Sequence, residues 1–191
     1  NQTSSYTTIN YQIKLVSSGC SGTGWTCIDD INGSGISPTF TLTAGTAYYI
    51  LLDPSNTTGG NVDFSIVCAP PIPTNDQCSG AISLTVNTTN NCISSTNGTT
   101  IGAIQSQAGC SGTADDDVWY NFVANNTIHT VTVSAITLNN IVFEVFRNSC
   151  GSLVSLGCVN STTGFSPETT TLTGLTAGNT YSIRVYSNEN G

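Results

Sequence analysis

TLTGLTAGNTYSIRVYS, residues 171–187, is the stretch from which the fold is read. After the turn LTAG, Tyr181, Ile183 and Val185 fall on one side of an extended backbone and Ser182, Arg184 and Tyr186 on the other. That is the period-two pattern of a strand with one face inward. The same turn stands earlier, at Leu42 to Gly45, followed by AYYILL. A second segment also repeats: Asn10 to Val16 (NYQIKLV) aligns with Asn140 to Phe146 (NIVFEVF), and two close cysteines follow each copy, Cys20 and Cys27 in one, Cys150 and Cys158 in the other. The chain thus holds about one and a half copies of a repeating unit, and the natural protein is expected to continue at both ends. Function is then to be sought in an array rather than in one pocket.

Strand-like runs extend outward from this stretch at close spacing: Ala81 to Val86, Thr99 to Gln105, Asp117 to Val123, His129 to Ala135, Ile141 to Arg147, Thr169 to Leu175 and Thr180 to Ser187. Gly, Asn, Asp or Ser turns bound each one. Val131 and Val133 share one face, as in a half-buried strand. Asp117 to Val123 carries large apolar residues on both faces and reads as more central. No window has a helical stripe, and the abundant Thr favours strands. The fold class is all-β, with antiparallel β-sandwich modules, immunoglobulin-like or jelly-roll-like, in tandem. Pro70, Pro71 and Pro73 make a stiff connector. The division is therefore 1–69, the C-terminal part of one repeat; 70–74, a Pro-rich linker; and 75–191, a second repeat lacking its last strand. The first copy ends in the strand Val62 to Val67 and Cys68, while the second stops at Gly191, inside the corresponding loop.

Composition excludes several classes. Thr, Ser, Asn and Gly supply about half the residues and only 7% are charged. The net charge of −8, with Lys14, Arg147 and Arg184 as the fixed cations and His129 as the one histidine, leaves no basic patch for nucleic acid. It disfavours an anionic membrane surface for the same reason, and leaves cations and neutral polysaccharide as partners. There is no apolar run long enough to insert into a membrane and no basic leader. The eight cysteines show neither CxxC nor Cys/His spacing, so disulfides in an oxidising compartment are the reading. The repeat suggests Cys20 with Cys27 and Cys150 with Cys158, each closing a small loop.

The segments NDQCSGAISLTV (75–86), GTTIGAIQSQAGCSGTADDDVWYNFVANNTIHTVTVS (98–134), SCGSLVSLGC (149–158) and TLTGLTAGNTYSIRVYS (171–187) carry a resemblance. They look like the tandem extracellular modules of large surface proteins exported by the type IX secretion pathway of Bacteroidota, modules similar in turn to bacterial pre-peptidase C-terminal domains. The resemblance implies a β-sandwich, export to the cell surface and a noncatalytic role. With that topology, strands 81–86 and 99–105 run out and back and bring Cys78 to Cys110. Cys92 is then assigned to a partner equivalent to Cys68, and within this chain Cys68 and Cys92 pair with each other or with neighbours.

Asp115, Asp116 and Asp117 form the one local charge cluster. If Cys78 bonds Cys110, Asp76 comes near, and the four carboxylates become a candidate calcium site; the competing reading is that they cap turns. Trp25, inside the Cys20–Cys27 loop, is a candidate platform for a sugar or a partner protein, against the reading that it covers its own disulfide. No nucleophile with a base and an orienting acid is recognisable around His129, so the chain is read as no enzyme. The favoured function is a structural or adhesive repeat of a secreted surface protein or filament, whose partners are neighbouring modules or subunits and cell-surface glycans. The alternative is a carbohydrate-binding accessory module of a secreted hydrolase.

Overall fold

The computed structural model describes residues 2–4, 8–31, 40–54, 61–89 and 92–189. It divides into two compact units, Asn1–Ala69 and Pro70–Gly191. Among the described residues every regular element longer than a single 3-10 turn is a strand.

The first unit contains β1 (Gln2–Ser4), β2 (Ile9–Leu15), β3 (Thr26–Ile31), β4 (Tyr48–Pro54) and β5 (Val62–Phe64). β2 lies between β3 and β4 in an antiparallel sheet, and β1 pairs with β5. The closing strand read over Val62 to Val67 is thus regular only to Phe64.

The second unit contains β6 (Ile82–Ser83), β7 (Val118–Val123), β8 (Ile128–Val133), β9 (Ile141–Arg147), β10 (Val154–Val159), β11 (Glu168–Thr173) and β12 (Thr180–Ser187). Five strands form one sheet in the order β10-β9-β12-β7-β6, and β11-β8 form a second. The sandwich core lies between them. Val118 and Phe122 of β7, Phe143 and Val145 of β9, and Tyr181, Ile183 and Val185 of β12 pack into one cluster with Leu172 of β11, bordered by Val131 and Val133 of β8. The outer face of the smaller sheet explains part of the Thr content: Thr130 and Thr132 meet Thr171 and Thr169 across the strands, hydroxyl to hydroxyl at 3.2 and 3.1 Å.

The two units share strand order. β3-β2-β4 repeats as β10-β9-β12, the central strand in each case flanked by the strand after the cysteine turn and the strand after LTAG. Register refines the alignment: Ile13 opposite Ile50 corresponds to Val145 opposite Ile183, so Asn10 falls on Val142 and not on Asn140. The two-residue shift keeps every side chain on its face. The LTAG turn has the same build twice. The Tyr48 hydroxyl accepts the Thr43 N–H at 3.1 Å, and the Tyr181 hydroxyl accepts the Thr176 N–H at 2.9 Å. Gly45 and Gly178 take the left-handed backbone that each turn requires, at φ 75° and 87°.

Several expectations need correction. Residues 99–105 form a turn at Ile101–Gly102 rather than a strand, and β6 keeps only two residues, parallel to β7. Without the return strand nothing brings Cys78 to Cys110. Cys78 bonds Cys150 and Cys110 bonds Cys158 instead. The expected Cys150–Cys158 loop fails because Cys150 sits in the turn after β9 and Cys158 lies near the far end of β10, opposite Glu144. From Val154 to Cys158 an extended chain advances roughly 13 Å at about 3.3 Å per residue, too far for a bridge. Cys20, Cys27, Cys68 and Cys92 are exposed free thiols, so neither the Cys20–Cys27 pair nor a Cys68–Cys92 pair is formed. The face bearing Ser182, Arg184 and Tyr186 is also buried, although its polarity reads as outward.

Candidate functional site

That second face is covered by a chain segment, residues 104–117, fixed to it by polar side chains. Arg184 in the middle of β12 is wholly buried. Its Nε donates to Asp117 Oδ2, its Nη1 to the Ala108 carbonyl at 2.9 Å and its Nη2 to the Gln107 carbonyl at 2.5 Å. Glu144 lies 4.0 Å from Nη1, and the rings of Tyr186 and Trp119 flank the guanidinium. Asp117 also accepts the Ser106 N–H at 2.8 Å and the Ser106 hydroxyl at 2.5 Å, and Ser106 Oγ receives the Trp119 indole N–H at 2.9 Å. Further along, the Tyr186 hydroxyl accepts the Cys110 N–H at 3.0 Å and donates to the Ser111 carbonyl at 2.9 Å. The Cys110–Cys158 bond ties the same segment to β10. A guanidinium in a dry site is tolerable only when its donors are met, and here chain carbonyls and a carboxylate meet them.

This accounts for the candidate calcium ligands. Asp117 holds Arg184. Asp116 Oδ1 accepts the Ser187 N–H at 2.9 Å, joining the turn to β12. Asp76 accepts the Ile104 N–H at 2.6 Å and the Gln77 amide at 2.7 Å. Asp115 is half-buried in the turn before β7. Among the described residues, no three Asp, Glu, His or Cys side chains are grouped to hold a metal ion. Trp25 is half-buried; its indole N–H donates to the Ser21 carbonyl at 3.1 Å and its ring lies 5.7 Å from the Lys14 ammonium. Lys14 is itself bonded to Ser21 and Thr23, so Trp25 closes a loop over it. His129 accepts the Asn125 N–H at 3.2 Å and packs edge-on against Phe122.

An open cleft of about 600 Å³ lies at one end of the second sandwich. β9 and β11 finish there and β12 begins, and the Cys78–Cys150 bond forms part of the wall. Its polar groups include Arg147, Asn121, Asn148, Asn179, Thr180 and Ser182. Arg147 is exposed and, among the described residues, in no ion pair. The cleft therefore offers one guanidinium, several amides and hydroxyls, and apolar lining that includes Leu156. These groups can hydrogen-bond a polyhydroxylated ligand. They include no thiol nucleophile, since both cysteines are oxidised. Sequence reasoning missed this site because its residues come from five separate segments, and a polar Asn or Thr at a strand end has the appearance of an ordinary turn residue.

The sequence model of the galactose-binding-domain-like family, in the form associated with type IX secretion, matches residues 74–191. The chain belongs to that family. No curated protein and no solved structure matches it. The galactose-binding-like fold is a non-catalytic binding fold, and the all-β sandwich of the second unit is in keeping with it. The type IX association and the two disulfides point to an exported protein. Among the described residues no helix is long and apolar enough to cross a membrane.

Proposed function

We propose that this galactose-binding-like chain is an adhesive module of an exported surface protein, and that its second unit grips neutral glycan at the end cleft. The observation that carries the reading is the cleft's chemistry: Arg147 and the amides of Asn121, Asn148 and Asn179 line it together with Leu156 and Tyr181. Paired hydroxyls of a sugar both donate and accept, which suits amides and one fork-shaped guanidinium. A chain with net charge −8 repels acidic polysaccharide and favours a neutral one. The shared strand order of the two units supports an adhesive array over a lone accessory domain, because weak sites gain strength when copies are linked.

The test is binding of the whole chain to immobilised neutral polysaccharides, alongside Arg147→Ala and Asn179→Ala. Loss of a charged hydrogen bond costs roughly 1.5–3 kcal/mol, so Arg147→Ala is expected to weaken binding at least about tenfold. Equal binding by both variants and the parent removes the cleft from the reading. Failure to retain any neutral glycan removes the glycan.

A further inference from the structure

β10 and β11 are consecutive in the chain but belong to different sheets of the sandwich. Gly157 of β10 stands opposite the core residue Val145 of β9, so its side-chain position faces inward, between the sheets. A Cβ there would meet no atom within 4 Å beyond its chain neighbours. The register also shifts between Ser155 and Gly157, which makes Leu156 a bulged residue of that strand. A sandwich interior is otherwise close-packed, but here the absent side chain and the bulge accompany a cavity of about 240 Å³ in the seam between β10 and β11. Val145, Leu172, Thr170 and Thr173 are among the residues that line it. Leu156, Thr173 and Leu175 line both this cavity and the end cleft, so the seam adjoins the cleft.

We infer that the seam extends the end cleft, and that the ligand is a linear neutral oligosaccharide with one end in the cleft and a further sugar unit at Gly157. This rests on the reading of the cleft as a glycan site. A single sugar needs only the cleft, whose 600 Å³ already falls in the range of roughly 300–1,000 Å³ usual for a small-ligand pocket. The seam adds what the next ring of a chain uses. Val145 and Leu172 offer apolar surface to its C–H groups, and the hydroxyls of Thr170 and Thr173 both donate and accept. Among the described residues its lining carries no charged side chain, which suits a neutral chain.

The test is binding of the whole chain to linear cello-, manno- and galacto-oligosaccharides, each from disaccharide to hexasaccharide. In a series that binds, affinity is expected to rise about tenfold with length, the effect of a pair of further hydrogen bonds. Gly157→Leu, which fills the seam and leaves Arg147 in place, is expected to bring the hexasaccharide down to the level of the disaccharide without weakening the disaccharide. Its urea midpoint is expected to equal or exceed that of the parent. Thr170→Val is expected to act in the same direction, more weakly. The hexasaccharide, and not the disaccharide, is expected to slow amide exchange across Val154–Val159. A flat dependence on length, or equal hexasaccharide binding by both variants and the parent, overturns the extension and leaves the cleft reading standing. Binding of no series at any length removes the glycan reading and the extension together. Dimerisation of the parent that Gly157→Leu abolishes also overturns the extension, since a second copy of the chain then fills the seam.

Discussion

Arg184 and Asp117, at the middle of β12 and the entrance to β7, form an ion pair whose side chains are both fully buried. They come from positions remote in the sequence, and together they clamp residues 106–108 onto the sheet. Removing one partner strands the other charge in a dry site, which typically costs about 3–5 kcal/mol. Arg184→Met and Asp117→Asn are each expected to lower the urea midpoint of the second unit sharply. The double substitution is expected to be less damaging than the sum, because no lone charge remains. Additive losses in a double-mutant cycle would show that the two residues act independently.

The disulfides should be found as Cys78–Cys150 and Cys110–Cys158 on peptide mapping. They span sequence separations of 72 and 48, loops for which closure entropy gives a stabilisation of about 4 kcal/mol each. Cys110→Ala with Cys158→Ala is also expected to free residues 104–116, read as faster amide exchange there than in β9. Recovery of a Cys150–Cys158 peptide would contradict the β9–β10 hairpin.

Glu168 supplies a pH dependence. Its burial by itself would raise the carboxyl pKa, but hydrogen bonds from the Ser161 N–H, the Thr162 N–H and the Thr162 hydroxyl outweigh this and hold it below the usual value. A lowered folded-state pKa stabilises the fold above the unfolded value of about 4.3, and the contribution is lost as pH falls through the folded value. Glu168→Gln should therefore be less stable than the parent at neutral pH, with the gap closing in acid. A gap unchanged between neutral pH and pH values well below 4 would mean that the charge does not matter.

Calcium is expected to leave the melting temperature of the whole chain unchanged, because Asp76, Asp116 and Asp117 already accept hydrogen bonds from the protein. A calcium-dependent rise, reversed by chelation, would require these carboxylates to exchange their partners for the ion.

Much of the fold was legible where the determinants are local. The strands at Ile141–Arg147 and Thr180–Ser187 coincide with the strand-like runs read there, and the repeated LTAG turn proved to be the same hydrogen-bonded corner around Tyr48 and Tyr181. Residues 99–105 were misread because an Ile-and-Thr-rich run has strand character, whereas Gly102, at φ 81° against the Pro70 and Pro71 carbonyls, turns the chain there. The end cleft was not legible: Arg147 and Asn121 belong to different strands, and only the sheet order brings them to one place.

The sequence by itself determined the all-β class, the positions of most strands in the second unit and the recurrence of the LTAG corner, because side-chain alternation and turn chemistry act over a few neighbouring residues. Tertiary structure alone decided which cysteines meet, why Arg184 is buried and where a ligand can sit. Those outcomes depend on contacts between segments tens of residues apart, and a segment such as 104–117 can make a polar face interior without leaving any sign in the strand that it covers.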